Sequence, residues 1–388
     1  IKRKIPEELA DEVRAFISEN EITGVYLETD LQRYYPNSSL AAQAIGFVTS
    51  DTTGSEGLEA YYNDELSGTA GKVVTSKGNY GSEMLYTYEK YYDASDGCSL
   101  VTTIDATVQA YVEKNLQNAI DKYDIKNGAF CIVMDVNTGE IKAMATLGSY
   151  DPNNYLEIYD ESVDLMLENE HDAAISLPEA SDAYKAAIEQ YNADVAAARL
   201  AQWRNRCVSD GYEPGSTFKL ITLASALDSG AITLNDSFYC GGQEKFAGRD
   251  QILNCWKSAG HGAQTTAQAL GNSCNIAFGH IGMRMGGDTF YDYLKAFGIM
   301  EKTGVDLPGE GRGLFYDKKT LTDTATYGTS YLITSSFGQS FRITPMQLVR
   351  SVAAIVNGGY VLQPYVVSEV LDENGNTVQT NEKTVLRQ

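Results

Sequence analysis

The segment Glu213-Pro214-Gly215-Ser216-Thr217-Phe218-Lys219 runs directly into an apolar stretch that continues to about Leu227. Proline and glycine at the start of this segment make a sharp turn, and the apolar stretch after it is typical of a helix. The pattern therefore places Ser216 in the first turn of a helix. Because Ser216 and Lys219 are three residues apart, they lie on one helical face within reach of each other.

The pairing of Ser216 with Lys219 has a chemical meaning at the start of a helix. A serine hydroxyl is a poor nucleophile until a base takes its proton, and a lysine is such a base only when it is neutral. Burial lowers the pKa of a lysine, and the positive end of the helix favours negative charge on the attacking oxygen. About one or two S-x-x-K matches arise by chance in a chain of this length. The hypothesis of acyl transfer therefore depends on the Glu-Pro-Gly turn before Ser216 and the helix after it.

A second polar element, Ser273-Cys274-Asn275, begins 57 residues after Ser216 (216 to 273) and again precedes a helical pattern. A second serine is able to relay a proton to a leaving group, and the asparagine amide is able to hold a substrate amide or the lysine. Alone, the triplet is better explained as a chance polar corner. The two elements in this order within one domain instead favour a serine acyltransferase site.

Outward from these elements, the chain before Glu213 predicts an α+β fold. A strand, an amphipathic helix and two paired strands around a turn closed by Gly139 follow one another, which argues against a parallel sheet. Several helices follow residue 207, and then comes a last strand-like segment. The predicted elements are strands at 99–104, 130–134, 140–144 and 363–371 and a helix at 106–123.

The length of 388 residues exceeds what one hydrophobic core usually organises, so two domains are expected. Residues 1–95 begin with a helical pattern at 6–17 and continue as short, glycine-punctuated pieces, which predicts a small extended N-terminal module. A turn at Asp96-Gly97 opens the second domain, 96–388. Residues 155–205 are acidic and alanine-rich, which predicts a helical insertion within that domain.

The charge of the chain excludes one class of function. It carries 52 acidic and 30 basic residues and a net charge of −22, so nucleic acid is not an expected partner. No stretch reaches the ~18 apolar residues that span a bilayer. The start, Ile1-Lys2-Arg3-Lys4, has the character of the middle of a longer chain, and the residues alone do not show a membrane anchor.

These residues together resemble the class B penicillin-binding proteins, a family of serine enzymes with S-x-x-K, S-x-N and K-T-G motifs. The resemblance covers nearly the whole chain apart from 155–205, and it favours the septal and sporulation branch with clostridial relatives. Besides the Glu213 segment, it rests on Arg33-Tyr34-Tyr35-Pro36, Gly57-Leu58-Glu59, Thr103-Ile104-Asp105, Phe337-Gly338-Gln339 and Thr344-Pro345-Met346-Gln347-Leu348.

The resemblance implies a fold and a reaction. The fold would be an antiparallel-sheet transpeptidase domain of the serine β-lactamase type with a helical subdomain, preceded by a pedestal domain. The reaction would be D,D-transpeptidation, which cross-links peptidoglycan stem peptides through an acyl-enzyme on Ser216 and is blocked covalently by β-lactams. Lys219 would be the general base, Ser273 and Asn275 would assist, and the Ser216 N–H would form half of the oxyanion hole.

The resemblance also implies partners and a location. The partners would be a septal glycosyltransferase and other division proteins, with a role in cell division or sporulation. The location would be the outer face of the cell membrane, with an N-terminal transmembrane helix as anchor. Two other functions remain open: a carboxypeptidase or β-lactamase with water as acceptor, and a penicillin sensor or inactive septal scaffold. The pedestal module argues against the first, and turnover of stem peptides would exclude the second.

The letters Lys302-Thr303-Gly304 spell the third motif of the family but in an unsuitable setting. They come 29 residues after Ser273 (273 to 302) and lead into a loop with Pro308, whereas the motif belongs on an edge strand. We therefore predict a structural loop here. By the family order the active-site K-T-G strand should follow the Thr344 segment, beyond Gln388.

Cys240, Cys255 and His261 lie between the two catalytic elements, and thiolates with an imidazole suit a tetrahedral, structural Zn²⁺ with Asp250 as fourth ligand. The rival interpretations are a Cys240–Cys255 disulfide and two free buried thiols. Clostridial relatives resemble the chain in carrying Cys and His here. Cys274 is predicted to be a filler residue rather than a ligand. His171 is expected to be exposed, and His280 to cap or pack a helix.

Overall fold

The computed structural model describes residues 2–28, 31–69, 71–75, 89–325 and 327–388. Short 3₁₀ turns lie at Pro152–Asn154 and Gly215–Phe218. The helices are α1 (Glu7–Glu19), α2 (Ala42–Ile45), α3 (Gly57–Tyr61), α4 (Asn63–Leu66), α5 (Ala106–Tyr123), α6 (Glu161–Ile175), α7 (Asp182–Trp203), α8 (Arg206–Ser209), α9 (Lys219–Asp228), α10 (Thr266–Gly271), α11 (Asn275–Ala296), α12 (Lys318–Thr322), α13 (Gly328–Ser336) and α14 (Pro345–Val356).

The strands are short, and four of their pairs are antiparallel: Lys72–Thr75 with Glu89–Tyr92, Phe130–Met134 with Ile141–Thr146, Ser237–Cys240 with Gly262–Thr265, and Gln243–Glu244 with Leu253–Asn254. Helices and antiparallel strands in this order confirm the predicted α+β class. The strands are β1 (Lys72–Thr75), β2 (Glu89–Tyr92), β3 (Ser99–Thr102), β4 (Phe130–Met134), β5 (Ile141–Thr146), β6 (Ser237–Cys240), β7 (Gln243–Glu244), β8 (Leu253–Asn254), β9 (Gly262–Thr265), β10 (Val361–Leu362), β11 (Val367–Leu371), β12 (Thr377–Thr380) and β13 (Val385–Arg387).

One compact unit comprises Ile1–Leu100, Gly148–Arg204 and Val370–Gln379. Its small core is aromatic: the Phe47 ring stacks on Tyr155 with 4.2 Å between centroids and meets Trp203 at 4.8 Å. Beside this core, the Glu59 carboxylate accepts hydrogen bonds from Arg33 Nε at 2.7 Å and Tyr35 Oη at 3.2 Å. The family-like residues at 33–36 and 57–59 therefore serve one local ion-pair network.

The segment predicted as a helical insertion, 155–205, forms α6 and α7, and both begin with a side-chain cap. Asp160 accepts from the N–H groups of Ser162 and Val163, and Ser181 accepts from Tyr184. Asp and Ser are strong caps because they satisfy N–H groups that lack partners in the first turn. By its contacts this segment groups with the N-terminal residues rather than with 205–369. The division of the chain at residue 95 stays a prediction.

The second unit comprises Val101–Leu147, Asn205–Glu369 and Thr380–Gln388. Its β4–β5 hairpin and α5 match the predicted elements, with α5 ending at the predicted Tyr123. Gln109 on α5 is fully buried and bridges to the strand: its amide donates to Met144 O and accepts from Met144 N, both at 2.7 Å. A buried polar side chain is tolerated here because both of its polar ends are hydrogen-bonded.

The main core of the second unit lies around α9, α11 and α13. Ile221, Phe278 and Ile333, one from each helix, are fully buried there. Gly282 on α11 has no room for a side chain, because a Cβ would lie 2.8 Å from Ser336 Cβ on α13. The absence of a side chain lets the two helices approach closely. This core carries α9 and α11, and the candidate catalytic residues lie at the first residue of each helix and just before it.

Among the residues that the structure describes, no helix combines the length and the apolar composition needed to cross a bilayer.

Candidate active site

Ser216 lies in the 3₁₀ turn Gly215–Phe218 that leads into α9, as the sequence predicts. Gly215 has a φ of +58°, and its N–H donates to Gly338 O at 2.9 Å. Phe218 is fully buried and meets the Phe341 ring with 4.7 Å between centroids. The turn is therefore held by backbone contact on one side and by aromatic packing beneath, while Ser216 itself stays exposed.

Lys219 brings the four predicted catalytic residues together. Its Nζ lies 3.2 Å from Ser216 Oγ, 3.0 Å from Ser273 Oγ, 2.8 Å from Ser273 O and 2.8 Å from Asn275 Oδ1. The two serine oxygens are 2.8 Å apart, within hydrogen-bond distance. The residue is 0% exposed. A lysine so buried and so fully surrounded by hydrogen-bond partners has little freedom to move.

The local fold between α10 and α11 positions Ser273 and Asn275. Thr265 and Gln268 form a capping box that fixes the start of α10. The helix ends in a tight turn in which the Cys274 N–H donates to Ala269 O at 3.0 Å. Ser273 has a φ of +48°, a left-handed conformation that is uncommon for residues other than glycine. Such strain is found at functional sites, and here it turns Ser273 towards Lys219.

Burial is the main cause that lowers the pKa of Lys219, to about 8. The thiolate forms of Cys255 and Cys274 would oppose this shift through their negative charge. A lysine with such a pKa is neutral in about a tenth of the molecules at pH 7 and in about half of them at pH 8. Its lone pair is then available to take the proton of Ser216 Oγ over the observed 3.2 Å. The arrangement is therefore suited to generating a serine nucleophile.

A second cluster lies next to the first. The ligand atoms of Cys240, Cys255, His261 and Cys274 all lie within 4.8 Å of one another. Cys255 Sγ is 3.7 Å from His261 Nδ1 and 4.0 Å from Cys274 Sγ. Around a tetrahedral zinc ion with Zn–S bonds of about 2.3 Å, neighbouring ligand atoms are separated by about 3.8 Å. The spacing of this cluster is compatible with such an ion.

Two side chains of the cluster have pKa values that suit metal binding. Burial opposes ionisation of Cys255, but hydrogen bonds from the backbone N–H groups of Lys257 and Asn275 bring the pKa of its thiol below the usual value. Burial, together with the charges of Lys257 and Lys219, lowers the pKa of His261. A thiolate and a neutral imidazole are the forms that bind zinc.

The structure corrects two expectations about this cluster. Asp250, predicted as the fourth ligand, is exposed and lies outside the group. Cys274, predicted to be a filler, joins it instead. The reason is local: Cys274 is the N-cap of α11, so its sulfur faces back towards the first turn, 3.5 Å from Ala277 N. A cysteine at the start of a predicted helix, between two site residues, was the signal that sequence reasoning missed.

Lys302-Thr303-Gly304 lies in a loop, as predicted, and no strand is assigned to these three described residues. Thr303 donates from its N–H and its Oγ1 to Glu310 Oε1, at 2.5 and 2.6 Å, and the Gly304 N–H donates to Glu310 Oε2 at 3.1 Å. The backbone of this loop is thus closed on a nearby carboxylate. Its letters match the catalytic motif, but its contacts are those of a structural turn.

The two remaining histidines have packing contacts. His280 on α11 pairs with Glu244 at 2.9 Å and its ring lies 4.7 Å from Phe246, in keeping with the expected packing role. His171 was expected to be exposed, but it is half-buried at the α6–α7 contact, where its ring lies 5.0 Å from the Tyr191 ring.

Family comparisons cover nearly all of the chain. Residues 129–387 match the family described as the penicillin binding protein transpeptidase domain, and residues 1–102 match the penicillin-binding protein dimerisation domain. Stage V sporulation protein D of Bacillus subtilis (strain 168) is 35% identical over 371 residues, which cover 95% of this chain and 49% of that protein.

Two further comparisons agree with these matches. Peptidoglycan D,D-transpeptidase FtsI of Escherichia coli (strain K12) is 27% identical over 380 residues, covering 95% of this chain and 53% of that protein. The crystal structure of a peptidoglycan synthetase from Bifidobacterium adolescentis ATCC 15703 superposes with a TM-score of 0.72 at 25% identity, covering 100% of this chain and 62% of that one. The chain spans about half the length of the curated relatives it matches.

These matches confirm the predicted fold class: an α+β, antiparallel-sheet domain with a helical part, preceded by an N-terminal domain.

Proposed function

The chain belongs to the class B penicillin-binding proteins, and from this premise we propose that it is a serine D,D-transpeptidase of peptidoglycan. One observation carries the proposal: buried Lys219 Nζ meets Ser216 Oγ, Ser273 Oγ and Asn275 Oδ1 within 3.2 Å. The substrates would be peptidoglycan stem peptides, and β-lactams would acylate the same serine.

In the first half-reaction, neutral Lys219 takes the proton of Ser216 Oγ, which attacks the carbonyl carbon of the penultimate D-alanine of one stem peptide. A Ser216 ester forms, the peptide bond to the terminal D-alanine breaks, and the leaving amine receives a proton by way of Ser273, whose Oγ lies 2.8 Å from Ser216 Oγ. Asn275 orients Lys219 through the 2.8 Å contact between its Oδ1 and Nζ. The Ser216 N–H forms half of the oxyanion hole.

In the second half-reaction, the amine of another stem peptide attacks the ester carbonyl and gives up a proton to neutral Lys219. Lys219 then passes this proton to Ser216 Oγ, which leaves as the hydroxyl. β-Lactams would follow the first half-reaction only, because their acyl group stays on the enzyme. This difference supports a simple assay in which a covalent adduct accumulates.

The mass of the intact full-length protein after incubation with benzylpenicillin tests the acyl-enzyme. The expected result is one added penicillin on the wild type and none on the Ser216→Ala variant. Thr217→Ala is the matched control, since Thr217 is the exposed neighbour of Ser216 and should still be acylated. A wild-type protein that stays unmodified would contradict the proposed function.

Release of D-alanine from stem pentapeptides separates a transpeptidase from a penicillin sensor or inactive scaffold. The transpeptidase should release one D-alanine for each cross-link formed. Acylation by penicillin without any release of D-alanine would favour the sensor or scaffold, and release without cross-links would favour a carboxypeptidase.

We further propose that Cys240, Cys255, His261 and Cys274 bind a structural Zn²⁺. The fit of their ligand atoms within 4.8 Å supports this, and four protein ligands would leave no open position for chemistry. His261 Nε2 is buried without a hydrogen-bond partner among the described residues. The ion would tie the antiparallel strand pair β6–β9 to the start of α11.

Metal analysis and thermal unfolding test the zinc proposal together. The purified wild type should contain one zinc per chain, and removal by a chelator should lower the Tm. Cys255→Ser should lose the metal, whereas Cys131→Ser, which changes a half-buried thiol outside the cluster, should keep it. A metal-free wild type with an unchanged Tm after chelation would leave the disulfide and free-thiol interpretations.

The remaining assignments are proposed from the same family membership. Residues 1–95 would form the pedestal and 96–388 the catalytic domain. The protein would act at the outer face of the cell membrane, anchored by an N-terminal helix that precedes residue 1, with a septal glycosyltransferase and division proteins as partners. The similarity to a sporulation protein supports a role in sporulation or division. Protease accessibility of the domain in intact spheroplasts would test the location.

A further inference from the structure

A pocket of about 440 Å³ is lined by strand β6, by the segment just after it and by helix α11. Its volume falls within the ~300–1,000 Å³ that is usual for small-molecule sites. None of the described residues that line it belongs to the cluster around Lys219. The reaction proposed above therefore leaves this pocket without a role.

One side of the pocket is an exposed aromatic ring. Side chains alternate along a strand, so Ser237 and Tyr239 of β6 lie on the same outward side, and Tyr239 exposes 70% of its surface. Its ring lies beside the backbone of Gly241, where a Cβ would be 3.6 Å from Tyr239 Cε1. An exposed ring that is supported in this way is a platform for the flat, apolar face of a ligand ring.

The charged groups of the pocket are already paired. His280 Nε2 lies 2.9 Å from the Glu244 carboxylate, and Arg284 Nη1 lies 3.2 Å from Asp236 Oδ1. The guanidinium of Arg284 also lies over the Phe238 ring, 4.9 Å from its centroid. A charged ligand would have to compete with these existing ion pairs. A neutral ligand meets no such competition, so the pocket favours an uncharged molecule.

Two polar side chains of the lining keep their hydrogen-bonding groups available. Ser237 and Gln243 are both exposed, and neither side chain is hydrogen-bonded to a residue that the structure describes. A hydroxyl both donates and accepts, and an amide offers two N–H donors and a carbonyl acceptor. These groups match a ligand that carries donors and acceptors together, as hydroxyl and acetamido groups do.

An N-acetylated amino sugar combines these properties: an apolar ring face, no charge, and hydroxyl and acetamido groups at its edge. We propose that the pocket binds such a sugar from the glycan chain to which the stem peptides are attached, with the sugar ring on Tyr239 and the acetamido group at Gln243. This inference rests on the proposed function, because peptidoglycan supplies that chain.

The pocket and the catalytic cluster share helix α11. This helix begins at Asn275, and His280 lies five residues further on (275 to 280). At a rise of 1.5 Å per residue, the two positions are separated by about 7.5 Å along the helix axis. A sugar held at the pocket would therefore keep the chain that carries a stem peptide on the same helix as Asn275.

The first test measures binding of triacetylchitotriose, a neutral chain of N-acetylglucosamine units, to the full-length protein. Titration followed by saturation-transfer NMR gives the Kd. Tyr239→Ala should weaken binding about fivefold, the worth of one ring-stacking contact, and Tyr239→Phe, which keeps the ring, should bind within about twofold of the wild type. Tyr111→Ala removes a tyrosine of similar exposure, 64%, on α5 outside the pocket and should bind like the wild type. Circular dichroism checks the folding of each variant.

Cellotriose, which carries hydroxyl groups in place of the acetamido groups, tests the role of Gln243. The wild type should favour triacetylchitotriose about fivefold over cellotriose, the worth of one hydrogen bond. Gln243→Ala should remove this preference, whereas Gln251→Ala, which changes an exposed glutamine outside the lining, should keep it. Because the ligand is neutral, the Kd should change by less than about twofold between about 50 and about 500 mM salt.

The inference would be overturned by a wild type that does not bind triacetylchitotriose, by equal binding to Tyr239→Ala, or by binding that high salt abolishes. Measurements on Ser216→Ala separate it from the proposed function. If the wild type forms no acyl-enzyme with benzylpenicillin but Ser216→Ala binds the trisaccharide through Tyr239, the sugar site stands and the transpeptidase proposal fails. If acylation proceeds and the trisaccharide does not bind, the sugar site fails alone.

Discussion

Lys219 and Arg350 are both fully buried cations of the second unit, yet their surroundings differ. Lys219 Nζ meets two hydroxyls, an amide oxygen and one backbone carbonyl. Arg350 donates to backbone carbonyls, Gly298 O at 2.6 Å and Thr303 O at 3.4 Å. Its Nε is buried without a partner among the described residues. Burial is the first cause that lowers the pKa of each, to about 8 for Lys219 and about 10 for Arg350.

The difference teaches that burial alone does not make a catalytic cation. The pKa of Lys219, about 8, lets it lose its proton within about one pH unit of neutrality, and its side-chain partners are groups of the kind that relay protons. Arg350 remains charged at neutral pH and is held by carbonyls of the loop that contains Lys302-Thr303-Gly304. We propose that Lys219 serves the reaction, whereas Arg350 supports the loop that contains Lys302-Thr303-Gly304.

The largest expected effect is on the rate of acylation in Lys219→Met. Methionine has a similar length but no base, so acylation by benzylpenicillin should fall about 10²- to 10⁴-fold. Stopped-flow or quenched mass spectrometry measures the rate, with circular dichroism as the check of folding. An acylation rate within a few-fold of the wild type would contradict the contrast between the two cations, since Lys219, like Arg350, would then have no role as a base.

The counterpart is Arg350→Met, which should act on stability. It leaves the carbonyls of Gly298 and Thr303 buried without their donor, at a cost of about 3 kcal/mol in the free energy of unfolding. Calorimetry should show a Tm lower by about 6–12 °C, and Arg312→Met serves as an exposed control. A Tm equal to that of the control would show that Arg350 does not support the loop.

The pH dependence of acylation sharpens the assignment of Lys219. Because the neutral form is the base and the pKa is about 8, the rate should rise about tenfold from pH 6 to pH 7 and level off above pH 8. Rates with benzylpenicillin at a series of pH values measure this. A flat profile between pH 6 and pH 9 would mean that the titration of Lys219 does not limit the reaction.

The smallest effect is expected for Lys302→Ala. Lys302 is exposed, and the loop is closed by Glu310 and Arg350 rather than by this side chain. Stability should change by less than about 0.5 kcal/mol, and acylation should stay within twofold of the wild type. A large loss of acylation would assign the catalytic lysine of the third motif to this position after all.

Local patterns were sufficient to predict much of this molecule. Asp105, which caps α5 by accepting from the N–H groups of Thr107 and Val108, and the apolar period after it define that helix to the residue. The turn closed by Gly139, with a φ of +92°, defines the β4–β5 hairpin. The S-x-x-K spacing placed Ser216 and Lys219 on one face because helical periodicity is a local property.

Contacts between distant segments were not predictable in the same way. The fourth member of the cysteine cluster is set by how the α10–α11 turn directs Cys274. Asp250 is closer than Cys274 in the sequence to both Cys240 and Cys255, but it does not join them. The seating of the turn that carries Ser216 depends on the approach of residues 338–341 to residues 215–218. Sequence spacing carries no information on such an approach, which is decided by tertiary packing.

Ser273, Cys274 and Asn275 are consecutive, yet their side chains belong to two clusters. The outer two contact Lys219, whereas the middle one joins Cys255 and His261. The cluster around Lys219 and the cysteine cluster are therefore joined by adjacent peptide bonds. No residue lies between them, so a displacement of one cluster would displace the other. For enzyme design this makes the two clusters a single transplantable part: a scaffold that received only the serines, the lysine and the asparagine would lack the anchor that sets their spacing.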